Sequence, residues 1–160
     1  MADKLAAAFH GASLTDTLRP ILAAYRAEVE PHWSAETAHP DYEGAAGSPV
    51  GQCGVTSAWL QRRLAEDHGL EVRYCGGHVW FTDQLIGGNH DWLEIGVGPD
   101  RIIVDLTANQ MKDMTPWPVV CETDRVMRSG GFCYVAHRWP TTEELSVQDR
   151  LAILTEAVGR

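Results

Sequence analysis

The sharpest constraint on this chain is the change of character at Gly51-Gln52-Cys53-Gly54. From His32 to Gly51 the sequence is rich in Pro, Gly, Ala and acidic residues and follows no hydrophobic period. From Cys53 to about His68 it becomes amphipathic at helical spacing, with Gly69 placed to cap the end. A helix therefore begins at a cysteine that emerges from a long loop. Backbone N–H groups at a helix start lack intrahelical acceptors, and the dipole there favours negative charge. A thiol in that position ionises more readily, and the same N–H groups can stabilise an oxyanion on a carbonyl it attacks. The alternative is a small apolar residue packed into the first turn, the commoner fate of a free cysteine.

The surrounding sequence defines the setting. The 160 residues suit one domain with a real core, and 44% hydrophobic with 22% charged residues is ordinary for a globular protein. The balance is acidic, 13 Lys+Arg against 22 Asp+Glu, a formal charge of -9. No basic face is available to neutralise phosphates, which argues against nucleic acid and anionic membranes as partners. The short apolar run Leu5–Phe9 lacks a basic leader and is not read as a signal peptide; no run reaches membrane-spanning length. Four cysteines, Cys53, Cys75, Cys121 and Cys133, are too few for a disulfide scaffold, so a cytoplasmic protein with reduced thiols is expected.

Apolar spacing predicts a first helix over 16–30, capped within Thr15-Asp16-Thr17 and stopped by Pro31, with Pro20 tolerable only in its first turn. The unpatterned stretch 32–51 is expected to cover or line a site. After the second helix, short strands are predicted at Val72–Cys75 and His78–Thr82, with a turn at Gly87-Gly88-Asn89. A β-pair follows, His90–Val97 and Arg101–Leu106, around Gly98-Pro99-Asp100. Residues 107–118 read as loop, Val119–Cys121 and Phe132–Ala136 as strands, and the tail from Thr141 as a helix opened by Thr142, Glu143 and Glu144. The sum is an α+β fold with helices packed on one face of a mainly antiparallel sheet.

The β-pair yields a catalytic geometry. If Gly96 faces Arg101, Asp105 faces Trp92 and lies diagonally from His90, within side-chain reach at about 7–8 Å between backbones. Cys53 would then be the nucleophile, His90 its base and Asp105 the residue that orients the imidazole. Gln52 or Gln110 would supply an oxyanion donor, Gln52 serving equally well as only a loop-to-helix polar contact, and Trp92, with Trp59 and Trp80, would wall an acyl pocket unless these rings are core. By strand parity Asp91 points away from His90 and is expected to be solvated, whereas Asp105, among Ile103, Val104 and Leu106, should be half-buried and partnered.

The helix-opening Cys53, the segment His90-Asp91-Trp92-Leu93-Glu94 and Ile103-Val104-Asp105 resemble the transglutaminase-like branch of the papain-like cysteine enzymes. The resemblance covers roughly residues 48–110 and implies a papain/transglutaminase-like core with a Cys-His-Asp triad. In detail, Gly-Gln-Cys at 51–53, His-x-Trp at 90–92 and Asp-Leu-Thr-x-x-Gln at 105–110 are similar to small bacterial YunG-like proteins, a likeness that carries no assigned reaction. The expected function is acyl transfer from an amide or ester through a Cys53 thioester, with a small-molecule or peptide acyl or amine substrate and no cofactor. The alternative is an inactive or metal-binding interaction module. Cys75…His78 and Cys133…His137 have pairwise zinc-ligand spacing, although the second pair, within a strand, is expected on opposite faces. No phosphate loop, dinucleotide fingerprint or HExxH is present.

Overall fold

A computed structural model describes residues 13–141 and 146–159. Among them are four α-helices: α1 (Leu14–Val29), α2 (Cys53–His68), α3 (Asp124–Ser129) and α4 (Gln148–Val158). The strands are β1 (Arg73–Phe81), β2 (Gln84–Ile95), β3 (Ile102–Asp105), β4 (Val120–Thr123) and β5 (Phe132–Arg138). They form one antiparallel sheet in the order β4-β3-β2-β1-β5, giving the α+β class expected.

Each face of the sheet has its own cover. Tyr74, Leu93 and Val104 pack with Leu18 and Leu22 of α1, Trp59 and Leu64 of α2, and Leu151 and Leu154 of α4. On the opposite face Cys75, Trp92, Ile103 and Tyr134 meet Ala108, Met111 and Met114 from the 107–118 segment. That segment was expected to be plain loop. It contains two short 3₁₀ turns, Ala108–Gln110 and Lys112–Met114, which fold it down as a lid on the second core.

Several boundaries depart from expectation. The N-cap of α1 is Ser13, whose hydroxyl accepts from the Asp16 N–H, rather than a residue of the 15–17 run. Pro20 lies inside α1, not in its first turn. It is exposed, so the carbonyl it leaves without a partner can be hydrated, while buried Leu18, Leu22 and Val29 hold the helix on the core. The two strands predicted over 72–82 are one continuous β1. The tail helix begins at Gln148, and Thr142, Glu143, Glu144 and Leu145 lie outside the described residues, as does the N-terminal apolar run.

Gly87-Gly88-Asn89 is not a hairpin turn. The chain turns earlier, after Phe81, at Thr82 with φ 55°, and the glycines fall within β2. Gly77 pairs with His90 and Val79 with Gly87, so Gly88 and Asn89 together oppose His78 alone. This is a β-bulge, and Asn89 takes the left-handed φ of 54° that it requires. What these residues build is no turn but a kink that re-aims the strand just before His90.

Candidate active site

α2 starts at Cys53 and ends on Gly69 in the left-handed conformation, as the sequence indicates. Gly51, at φ 74°, turns the chain into it, and a Cβ there would press on Tyr42 and His39. The long loop is tied to this helix start. Trp33 Nε1 donates to Thr56 Oγ1 at 2.9 Å, His39 N to Gly51 O at 2.8 Å and Gln52 Nε2 to Ser34 O at 2.9 Å. Residues 32–51 therefore do line the space around Cys53, through His39, Asp41 and Tyr42.

The β2–β3 register is the expected one. Leu93 pairs with Val104 and Ile95 with Ile102, which continues to Trp92 opposite Asp105. His90 Nε2 and Asp105 Oδ2 are 2.6 Å apart, and both residues are buried. Asp105 is more deeply enclosed than the sequence suggested, and every lone pair is used. Its Oδ1 accepts from Thr107 N at 2.8 Å and Thr107 Oγ1 at 3.0 Å; its Oδ2 also accepts from the Tyr134 hydroxyl at 3.0 Å. Burial pushes the Asp105 pKa up, but the His90 charge and these donors outweigh it, and the net shift is downward. Burial alone would lower His90; the Asp105 charge and hydrogen bond, with a smaller contribution from the Cys53 thiol beside the ring, carry it well above its ordinary value.

With Nε2 held by Asp105, Nδ1 is the nitrogen left for other partners. Gln110 Nε2 lies 3.0 Å from it and 3.3 Å from Thr107 Oγ1, while Gln110 Oε1 accepts from Gly51 N at 3.3 Å. The amide thus links the ring to the turn before Cys53. It suits a neutral ring that donates from Nε2 and accepts at Nδ1; a protonated ring would need the amide oxygen instead. Arg26 of α1 holds the loop that carries these groups. Its buried guanidinium donates to Leu106 O, to Asn109 Oδ1 at 3.0 Å and to Pro118 O at 3.2 Å.

Three expectations for individual residues are revised. Gln52 is fully buried and its amide donates to Ser34, so it braces the loop on the helix and cannot reach a bound substrate. Trp92 is also fully buried; its ring stacks on His90 at 6.2 Å and its Nε1 donates to Glu94 Oε1 at 3.2 Å. It supports the imidazole from below and walls no pocket, and Trp59 is likewise core. Asp91, read as solvated, is only 15% exposed. It does point away from His90, but the far side of the strand there is the packed start of α2, where its carboxylate meets Gly54 and the Tyr74 hydroxyl.

Cys53 is partly exposed where two cavities meet at the end of the sheet. The smaller, about 180 Å³, includes His90 and Gln110. The larger, about 710 Å³, includes Asp91, Arg138 and Arg150. Tyr134, Thr107, Arg138 and Arg150 escaped the sequence reading, and Asp91 was seen there only as a solvated carboxylate. Thr107 had a local signal, two residues beyond Asp105; Tyr134, Arg138 and Arg150 come from distant strands and helices and had none.

The zinc-spacing pairs do not assemble. Cys75 is buried, while the half-buried His78 meets His137, Nδ1 to Nε2 at 3.1 Å. A separation of four returns a strand to the same face, so opposite faces were the wrong expectation for Cys133 and His137. Among the described residues no three His, Cys, Asp or Glu side chains are grouped to hold a metal, and no helix is long and apolar enough to cross a membrane. All four cysteines are free thiols. No family model, curated protein sequence or solved structure matches this chain.

Proposed function

We propose that the protein is a cysteine-dependent acyl-transfer enzyme built on a papain/transglutaminase-like arrangement, working in a reducing, cytoplasmic setting. The observation that carries this is the buried Asp105–His90 contact of 2.6 Å beneath a partly exposed cysteine at a helix start. Structural histidine–aspartate pairs exist without chemistry. In this one His90 lines the same cavity as a thiol that faces two cavities, which a purely structural pair does not require.

In the proposed reaction the Gln110 amide swings off Nδ1 of His90, which then takes the Cys53 proton, and the sulfur attacks an amide or ester carbonyl. The C–S bond forms as the carbonyl π pair moves to oxygen, where N–H groups at the start of α2 can receive the charge. Collapse of that intermediate breaks the C–N or C–O bond, and the imidazolium returns its proton to the departing amine or alcohol. Water or an amine, deprotonated by His90, then attacks the thioester, releasing the acyl product and restoring the thiol. Asp105 keeps its charge throughout and fixes which nitrogen works.

Incubation with p-nitrophenyl esters of varied acyl groups, followed by intact-mass and peptide mapping, tests the reading. An acyl adduct confined to the Cys53 peptide, lost in Cys53→Ala and strongly slowed in His90→Ala, is expected. An adduct rate unchanged in His90→Ala would contradict it.

A further inference from the structure

The larger cavity has a charge pattern that the acidic surface conceals. Asp91 on β2, Gly76 on β1 and Arg138 on β5 lie side by side, because Gly76 pairs with Asp91 in one register and with Arg138 in the other. Arg138 Nη2 reaches Asp91 Oδ1 across that glycine at 3.2 Å. A Cβ on Gly76 would sit 2.6 Å from both atoms, and one on Gly54 would sit 3.1 Å from Asp91 Oδ2. Two bare backbone positions therefore leave room for the pair beside the start of α2.

The pair is not balanced. Arg150 of α4 also lines the cavity, and its hydrogen bond to a described residue is a long one, 3.5 Å, to Thr37 O. Among the described residues, the other carboxylate lining the cavity is Asp41, which is 85% exposed and faces His39 at 3.7 Å. Among the described residues of the inner wall two guanidiniums thus accompany one carboxylate, an excess of positive charge next to Cys53 in a chain whose net charge is -9. A planar, permanently charged fork is the group best suited to a carboxylate.

We infer that this cavity receives an acyl donor with a free carboxylate, such as a short peptide or amino-acid amide, and that Arg150 together with Arg138 binds that carboxylate. The volume of about 710 Å³ suits a ligand of that size. This substrate class rests on the acyl-transfer reading, but it can fail separately.

The test uses two alkylating reagents matched in shape, N-iodoacetylglycine and its neutral twin N-iodoacetylglycinamide, with modification followed at each cysteine. At Cys53 the acid is expected to gain about fivefold over the amide, relative to the same ratio at Cys133, as one partly exposed ion pair can supply. Arg150→Gln should remove most of that preference, read as the acid-to-amide ratio at Cys53; Arg150→Lys, which keeps the charge, should retain part of it. An equal acid-to-amide ratio at Cys53 and Cys133, or a full preference surviving Arg150→Gln, overturns the assignment. A Cys53 no more reactive than Cys133 toward the neutral amide contradicts the nucleophile instead, and the ratio still reports on the cavity.

Discussion

Asp105 and Asp91 are two withdrawn carboxylates on opposite sides of the same cysteine, and their environments act in opposite directions. Both are desolvated, yet the pKa of Asp105 is lowered and that of Asp91 is raised. Asp105 accepts four hydrogen bonds, one from an imidazole, whereas Asp91 has the Tyr74 hydroxyl and a partly screened guanidinium. Burial alone does not decide whether a carboxylate is comfortable; the number and charge of its donors do. The His90 side is enclosed and over-determined, as the proposed chemistry requires. The Asp91 side is open and held by glycines, as recognition requires.

The contrast is broken most completely at the sulfur. Cys53→Ala should abolish adduct formation with the esters, since no other thiol has the same neighbours; burial pushes the Cys75 thiol up to about 12 and the Cys121 thiol up to about 11. His90→Ala should come close behind. Asp105→Asn should rank third: the exchange costs about 10⁴ in turnover in serine-protease triads, and a cysteine at a helix start depends less on its base. Full activity in Asp105→Asn would transfer the orienting role to Gln110.

Stability against pH should separate the two carboxylates. Asp105, with its lowered pKa, stabilises the fold above its ordinary value of 3.8, and this is lost as pH falls through the lower folded value. His90, with its raised pKa, stabilises most below its ordinary 6.5, and this fades as pH rises through the higher folded value. Asp91 is the reverse of Asp105: its raised pKa makes its ionised form a liability as pH climbs through the folded value. Denaturant midpoints should therefore show Asp105→Asn destabilised at neutral pH, by about 1–3 kcal/mol for a disrupted buried hydrogen-bond set. Asp91→Asn should be unchanged or stabilised, within about 1 kcal/mol. Matching losses in both variants would erase the distinction.

The smallest expected effect is at Gly76. An alanine there should cost little stability, because the atoms in its way include the mobile end of Arg138, but it should pull Arg138 from Asp91 and reduce the acid-over-amide preference at Cys53. A preference left intact would show that Arg150 acts alone.

What the sequence disclosed follows the range of the interactions. α2 was legible to its ends because Cys53 and Gly69 mark them locally. The β2–β3 register was legible because one short connection fixes it, and with it the His90–Asp105 contact. The bulge at Gly88-Asn89 was misread as a turn, since both need the same backbone freedom and only the pairing with β1 tells them apart. Asp91 was misplaced because parity says which face a residue takes, not whether a helix covers that face. The cavity's guanidiniums, on β5 and α4, depend on strand order and helix docking that no local pattern encodes.

The central claim is that Cys53 is activated by His90, and the neutral reagent iodoacetamide tests it without a substrate. Alkylation rates at Cys53 and Cys133 should be measured from pH 5 to 9 in the parent protein and in His90→Ala. Cys53 is expected to react about tenfold or more faster than Cys133 near neutral pH, and His90→Ala to remove most of that advantage. Equal rates at the two cysteines, or a Cys53 advantage untouched by His90→Ala, would contradict it.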